Sequence, residues 1–231
     1  MERVAAILAV IMLLVGNGST AQALPMSLTV TDGTTTRTVV DGETTDADPT
    51  SGVISFYNLA LGTYSITINS ATGVGHPFLL WPEVLHLNGV ELKSTTTGGF
   101  LKFILSDSSI SLPQLDSAVS PNAVASYSIN AFTQNGNTIT NTILYNGNEL
   151  GILSGTATGG LGFTATGTSY FDLANPFTLS EIVTINFGNT RGMSSFDAGI
   201  SIIPTPEPGT MVLFGAGFLG LAIYCKRRKN V

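Results

Sequence analysis

From residue 52 onward the hydrophobic positions fall in short runs, mostly of period two, and turn residues separate the runs. Gly52-Val53-Ile54-Ser55-Phe56-Tyr57 leads through Leu61-Gly62 into Thr63-Tyr64-Ser65-Ile66-Thr67-Ile68, which alternates strictly. Further runs cover residues 100–105, 123–130, 138–145, 149–153, 162–170, 177–187 and 196–203, and they are rich in Thr, Ile, Val and aromatics. A period of two over five to ten residues is the signature of a half-buried strand. Asn135-Gly136 and Asn146-Gly147 each stand between two runs, where a type I′ hairpin turn needs positive φ at both residues. Asp32-Gly33, Asp41-Gly42 and Asn88-Gly89 are further turn signals. No stretch of this region carries a sustained 3.6-residue stripe. The pattern predicts an all-β, antiparallel β-sandwich, with jelly-roll and Ig-like connectivities both open. Residues 177–187 and 196–203 read as a final hairpin whose second strand feeds the segment that follows.

The two ends break the pattern. At the N-terminus Arg3 precedes an unbroken apolar run from Val4 to Val15, a loosening Gly16-Asn17-Gly18-Ser19-Thr20, and then Ala21-Gln22-Ala23. A thin positive start, an apolar centre and a small-x-small site predict a signal peptide over residues 1–23, cut after Ala23. At the C-terminus Pro204-Thr205-Pro206-Glu207-Pro208 cannot be helical, because each proline pushes the residue before it out of the α region. Residues 210–225 then form an uncharged apolar segment, and Lys226-Arg227-Arg228-Lys229 follows almost at the end of the chain. Fifteen helical residues make about 22 Å, against roughly 30 Å of hydrocarbon, so this transmembrane helix spans only with a thinned bilayer and snorkelling bases. The basic cluster at 226–231 stays cytoplasmic and leaves everything before Thr210 outside. The chain thus divides into a signal peptide (1–23), an exported sandwich domain (24–203), a Pro-rich linker (204–209), a transmembrane helix (210–225) and a basic tail (226–231).

Pro206-Glu207-Pro208, the short Gly-rich apolar helix and the terminal Arg/Lys cluster, in that order, resemble the PEP-CTERM sorting signal of Gram-negative bacteria. The same tail is also known as the C-terminal region of some ice-binding proteins. The resemblance implies recognition by an exosortase, a membrane-embedded cysteine transpeptidase-like enzyme, after passage through the secretion translocon. It implies a transient anchor in the inner membrane, removal of the tail near the motif, and co-occurrence with exopolysaccharide and biofilm. The location implied is the cell surface or extracellular matrix. On this reading Pro206, Glu207 and Pro208 are the recognition element, and Lys226, Arg227, Arg228 and Lys229 stop translocation.

Charge and composition narrow the function of the exported part. The whole chain has 9 Lys+Arg against 15 Asp+Glu, a net charge of −6. Residues 24–205 hold thirteen of those acids and only Arg37, Lys93, Lys102 and Arg191 as bases, so they carry −9. Such a domain has no basic face for nucleic acid. The one cysteine, Cys225, lies in the tail, which excludes a disulfide framework and a thiolate metal site. No G-x-S-x-G occurs, and neither histidine has a serine–acid partner, so no catalytic residues are assigned and the domain reads as non-enzymatic. His76, Glu83 and His86 do not fit a zincin helix, since Pro77 and Pro82 interrupt it. Gly215-Ala216-Gly217-Phe218-Leu219-Gly220 fits G-x-G-x-x-G, but no acidic residue follows about 20 positions on, and its glycines suit helix packing. Asp41, Glu43, Asp46 and Asp48 on one loop offer the oxygen ligands calcium requires, and no other cofactor is indicated. An envelope or matrix structural protein is therefore the principal reading. A carbohydrate- or calcium-binding surface module using Trp81 and the acidic loop is the alternative. Ice binding by the Thr-rich segments and a secreted hydrolase rank lower.

Overall fold

The computed structural model describes residues 26–73, 83–110, 122–134, 136–156, 162–172, 176–188, 191–204 and 215–219. Its strands in chain order are β1 (Ser27–Thr31), β2 (Thr36–Val40), β3 (Val53–Leu61), β4 (Tyr64–Gly73), β5 (Glu83–Ser94) and β6 (Phe100–Ile110). They continue as β7 (Asn122–Phe132), β8 (Thr138–Tyr145), β9 (Asn148–Thr156), β10 (Gly162–Asp172), β11 (Phe177–Asn186) and β12 (Gly192–Pro204). Each predicted run is a strand, and the alternation is visible as burial. Along β11 Phe177, Leu179, Glu181, Val183 and Ile185 point inward, with partly exposed polar and apolar residues between them.

The strands form two six-stranded antiparallel sheets. Sheet I has the order β2-β1-β6-β11-β8-β9, and sheet II has β10-β7-β12-β5-β4-β3. The pairings β8·β9, β7·β10, β6·β11 and β5·β12 nest inside one another. A long antiparallel double strand folded over on itself gives this nesting, with successive strands alternating between sheets. The fold is thus an eight-strand jelly roll, which decides between the two connectivities left open by the pattern. The hairpins β1–β2 and β3–β4 widen sheets I and II beyond it.

Asn146-Gly147 is the apex of the folded double strand. Asn146 has φ 48° and Gly147 φ 79°, the two positive values a type I′ turn needs, and Tyr145 faces Asn148 across it. Two expectations are corrected by the winding. Asn135-Gly136 does not close a hairpin, because β7 lies in sheet II and β8 in sheet I. Nor do β11 and β12 form a final hairpin. They too lie in opposite sheets, and β12 runs in the middle of sheet II between β7 and β5. Asn88-Gly89 is likewise no turn. It is a β-bulge inside β5, where the register jumps from Val90–Phe196 to Leu87–Ala198 and sets two residues against Asp197. The Asp197 carboxylate accepts the Gly89 N–H at 2.6 Å, and Gly89 takes φ 60°.

The core lies between the inward faces of the two sheets. Phe103 of β6 and Phe196 of β12 meet across it edge to face, with centroids 5.2 Å apart at 71°. Where β9 and β10 close one side of the sandwich, aromatic rings occupy space left by glycines. The Tyr127 ring fills the positions a Cβ would take on Gly151 and Gly167, and Phe163 does the same at Gly155.

Candidate functional site

The sorting segment is attached to the centre of a sheet. β12 is hydrogen-bonded on one side to β5 from Gly192–Ser94 to Ser201–Glu83, and on the other to β7 from Ser195–Phe132 to Pro204–Ala123. Its side chains Phe196, Ala198, Ile200 and Ile202 are buried. Pro204 stands past the last β5 pair, where a missing N–H costs no ladder bond on that side, and there the strand ends. The next five residues reach at most about 18 Å when extended. A chain cut within them leaves every strand intact.

Residues 215–219 are helical with exposed side chains, and among the described residues no helix is long and apolar enough to cross a membrane. The remainder of 210–225 lies outside the described residues. So do Ala21 and Ala23 of the predicted signal-peptide site, Pro206, Glu207 and Pro208, Lys226, Arg227, Arg228 and Lys229, and also His76 and Trp81.

The acidic loop is held together by its own carboxylates. Asp46 Oδ1 accepts the N–H groups of Asp48 and Ser55, both at 3.0 Å, and Oδ2 accepts that of Gly42 at 3.4 Å. Asp48 Oδ1 accepts the Thr50 N–H at 2.9 Å, and Asp41 Oδ2 the Gly52 N–H at 2.8 Å. Glu43 is exposed. Much of the oxygen set that calcium would take is thus directed at backbone amides. Among the described residues no group of three or more His, Cys, Asp or Glu is placed to hold a metal ion.

Two acids that the strand pattern gives no reason to single out are in the core. Glu181 is fully buried on the inward face of β11, and Oε1 accepts the Asn141 amide at 2.8 Å from neighbouring β8. Asp107 of β6 is buried against Gly73 and Met26. Their inward phase follows from strict alternation, but nothing local marks a buried acid. At the β1–β2 turn, amide bonds from Thr35 and Thr34 and the Thr34 hydroxyl hold the Asp32 carboxyl below its ordinary range. The Tyr64 phenol is pushed up by burial and then by the charge of Asp32.

Residues 204–229 match the model of the PEP-CTERM protein-sorting motif, so the match begins on the residue with which β12 ends. No curated protein matches the chain. Among solved structures, the jelly roll is similar to TmCBM61 in complex with beta-1,4-galactotriose, at 12% identity over 71% of this chain and 94% of that one, TM-score 0.40. It is also similar to a cyclase from Fischerella sp. TAU in complex with 4-(1H-indol-3-yl)butan-2-one, at 12% identity over 64% and 80%, TM-score 0.37. A third is the EclA C-terminal domain, a sugar-binding protein, at 12% identity over 57% and 87%, TM-score 0.33. At this distance the likenesses carry no argument about what this chain binds.

Proposed function

We propose that this chain, which carries the PEP-CTERM protein-sorting motif, is an exported, non-enzymatic component of the cell envelope or extracellular polymer matrix. The motif implies sorting by an exosortase at the inner membrane. The finer reading is that the enzyme cuts near Pro206-Glu207-Pro208 and releases the jelly roll to the cell surface or matrix. The observation that carries this is the junction at Pro204, where the central strand of sheet II stops and the sorting motif begins. A tether drawn from a central strand loads two ladders at once, so the domain stays folded while anchored. The cut falls in a proline-stiffened segment beyond β12 and leaves the described strands intact. The exported region's charge of −9 keeps a released domain soluble.

The test replaces Pro206-Glu207-Pro208 with three alanines in the native host. The variant is expected to accumulate uncut in the inner-membrane fraction. Unchanged processing and release would refute the assignment.

A further inference from the structure

The outer face of sheet II carries a trough along β7, between β10 and β12. The pairings set Thr168, Ser126 and Ser201 in one row, Thr166, Ser128 and Gly199 in the next, and Thr164, Asn130 and Asp197 in a third. Serines on the floor strand and the missing side chain of Gly199 leave a hollow of about 380 Å³ between the threonines of β10 and the outward residues of β12. A second hollow of about 280 Å³ continues it past Asn130 to Phe132. Tyr170, 81% exposed, closes one end beside Val124, and Phe132, 47% exposed, closes the other. Eight residues of β7 separate the two ends, roughly 27 Å at the rise of a strand.

On the outer face of sheet I some hydroxyls pair with one another across strands, Thr29 with Thr38 at 2.9 Å and Ser106 with Ser180 at 2.7 Å, while those of Thr140, Ser154 and Thr184 have no protein partner among the described residues. In the trough the hydroxyls of Ser126, Ser128, Thr166, Thr168 and Ser201 have no protein partner among the described residues. Each is a donor and an acceptor on a rigid strand, and the β-branched threonines restrict where theirs point. Of the ionisable groups beside them, Asp197 is bound to the Gly89 amide, and His86 of β5 stands opposite Gly199 in the second row. An apolar ligand would leave these hydroxyls unsatisfied, and an anionic polymer would meet a domain of charge −9. Many neutral donors and acceptors in a row, with an exposed aromatic ring at the end, match a chain of sugar rings, which offer hydroxyls at their edges and C–H groups on their faces.

The geometry points to a binding site for a neutral polysaccharide chain laid along β7, with sugar hydroxyls bonded by Ser126, Ser128, Thr166 and Thr168 and a ring stacked on Tyr170. This names a ligand class for the exported domain of the preceding section. It does not depend on how the domain is delivered, so loss of processing in the tail variant and loss of binding are separate outcomes.

Affinity electrophoresis of the purified full chain in detergent tests it, with galactan, mixed-linkage glucan, xyloglucan and galactomannan in the gel and alginate as the anionic comparison. At least one neutral polymer is expected to retard the protein, and alginate is not. Tyr170→Ala, at a position already exposed, and Ser128→Phe, which fills the hollow, should each weaken the retardation about tenfold, while Tyr170→Phe keeps it. Thermal melting confirms that the variants fold. The proposal is overturned if no neutral polymer retards the protein, if alginate is preferred, or if folded Tyr170→Ala and Ser128→Phe are retarded like the parent.

Discussion

Gly151→Ala on β9 tests how the sandwich closes at its β9–β10 side. In an ordinary strand interior this substitution stabilises by about 0.5–1 kcal/mol, since glycine loses the most conformational freedom on folding. Here the sign reverses. A Cβ on Gly151 overlaps the hydroxyl and ring of Tyr127, and the ring cannot retreat, because Gly167 already lies against its other edge with a Cβ position 2.5 Å from Cε2. Overpacking of this kind costs about 1–3 kcal/mol. Displacing the ring also breaks the bond between the Tyr127 and Ser169 hydroxyls at 3.1 Å, worth about 1 kcal/mol. Ser169 in turn donates to the Leu150 carbonyl at 2.7 Å, so the disturbance reaches the contact between the two sheets. The net loss is about 1–3 kcal/mol, or roughly 2–12 °C in Tm for a domain of this size. Urea unfolding of the full chain measures it. Gly162→Ala is the control, because among the described residues a Cβ there meets the Ala131 carbonyl alone, at an ordinary 3.6 Å. Combining Gly151→Ala with Tyr127→Leu should restore part of the loss and give a coupling of about 1 kcal/mol or more. A Gly151→Ala protein as stable as the parent, or more stable, would show that the ring does not occupy that space.

Other outcomes follow from single contacts. Gly147→Ala forces alanine to φ 79° at the apex of the jelly roll and should cost about 1–2 kcal/mol by urea unfolding, with little change at Gly162→Ala. Asn141→Leu removes the amide that bonds Glu181 Oε1 in the core and should destabilise by about 1–3 kcal/mol in the same assay. The lowered pKa of Asp32 means its charged form is favoured by folding. Its contribution is present above about pH 4 and lost as pH falls through the folded-state value. Asp32→Ala should therefore flatten the acid limb of a stability–pH profile and leave its slope near neutrality unchanged.

The fold class was legible because nine of the strands coincide with short runs rich in Thr, Ile, Val and aromatics, most of them alternating in hydrophobicity. β1 and β2 are five residues each and give too few alternations to stand out. β5 carries Asn88-Gly89, whose chemistry suits a turn, but pairing with β4 and β12 on both sides turns that dipeptide into a bulge. Alternation also says nothing about which sheet a strand joins. The Asn-Gly at residues 135–136 looks locally the same as the one at 146–147, yet only the latter joins paired strands. The tail was legible because its function rests on contiguous sequence: a proline-fixed segment, an apolar run and a basic stop. The trough was not, because β7, β10 and β12 are far apart along the chain and are brought together only by the jelly-roll winding. Each serine or threonine in it reads alone as an ordinary outward strand residue.

The central claim is that the C-terminal segment is a disposable anchor for the jelly roll. Intact-mass spectrometry of the protein isolated from its native host tests this most directly. The account predicts a chain that starts at Leu24 and ends within or beside residues 204–209, so that residues 210–231 are missing. A mature protein that keeps residues 210–231 and stays in the inner membrane would contradict it.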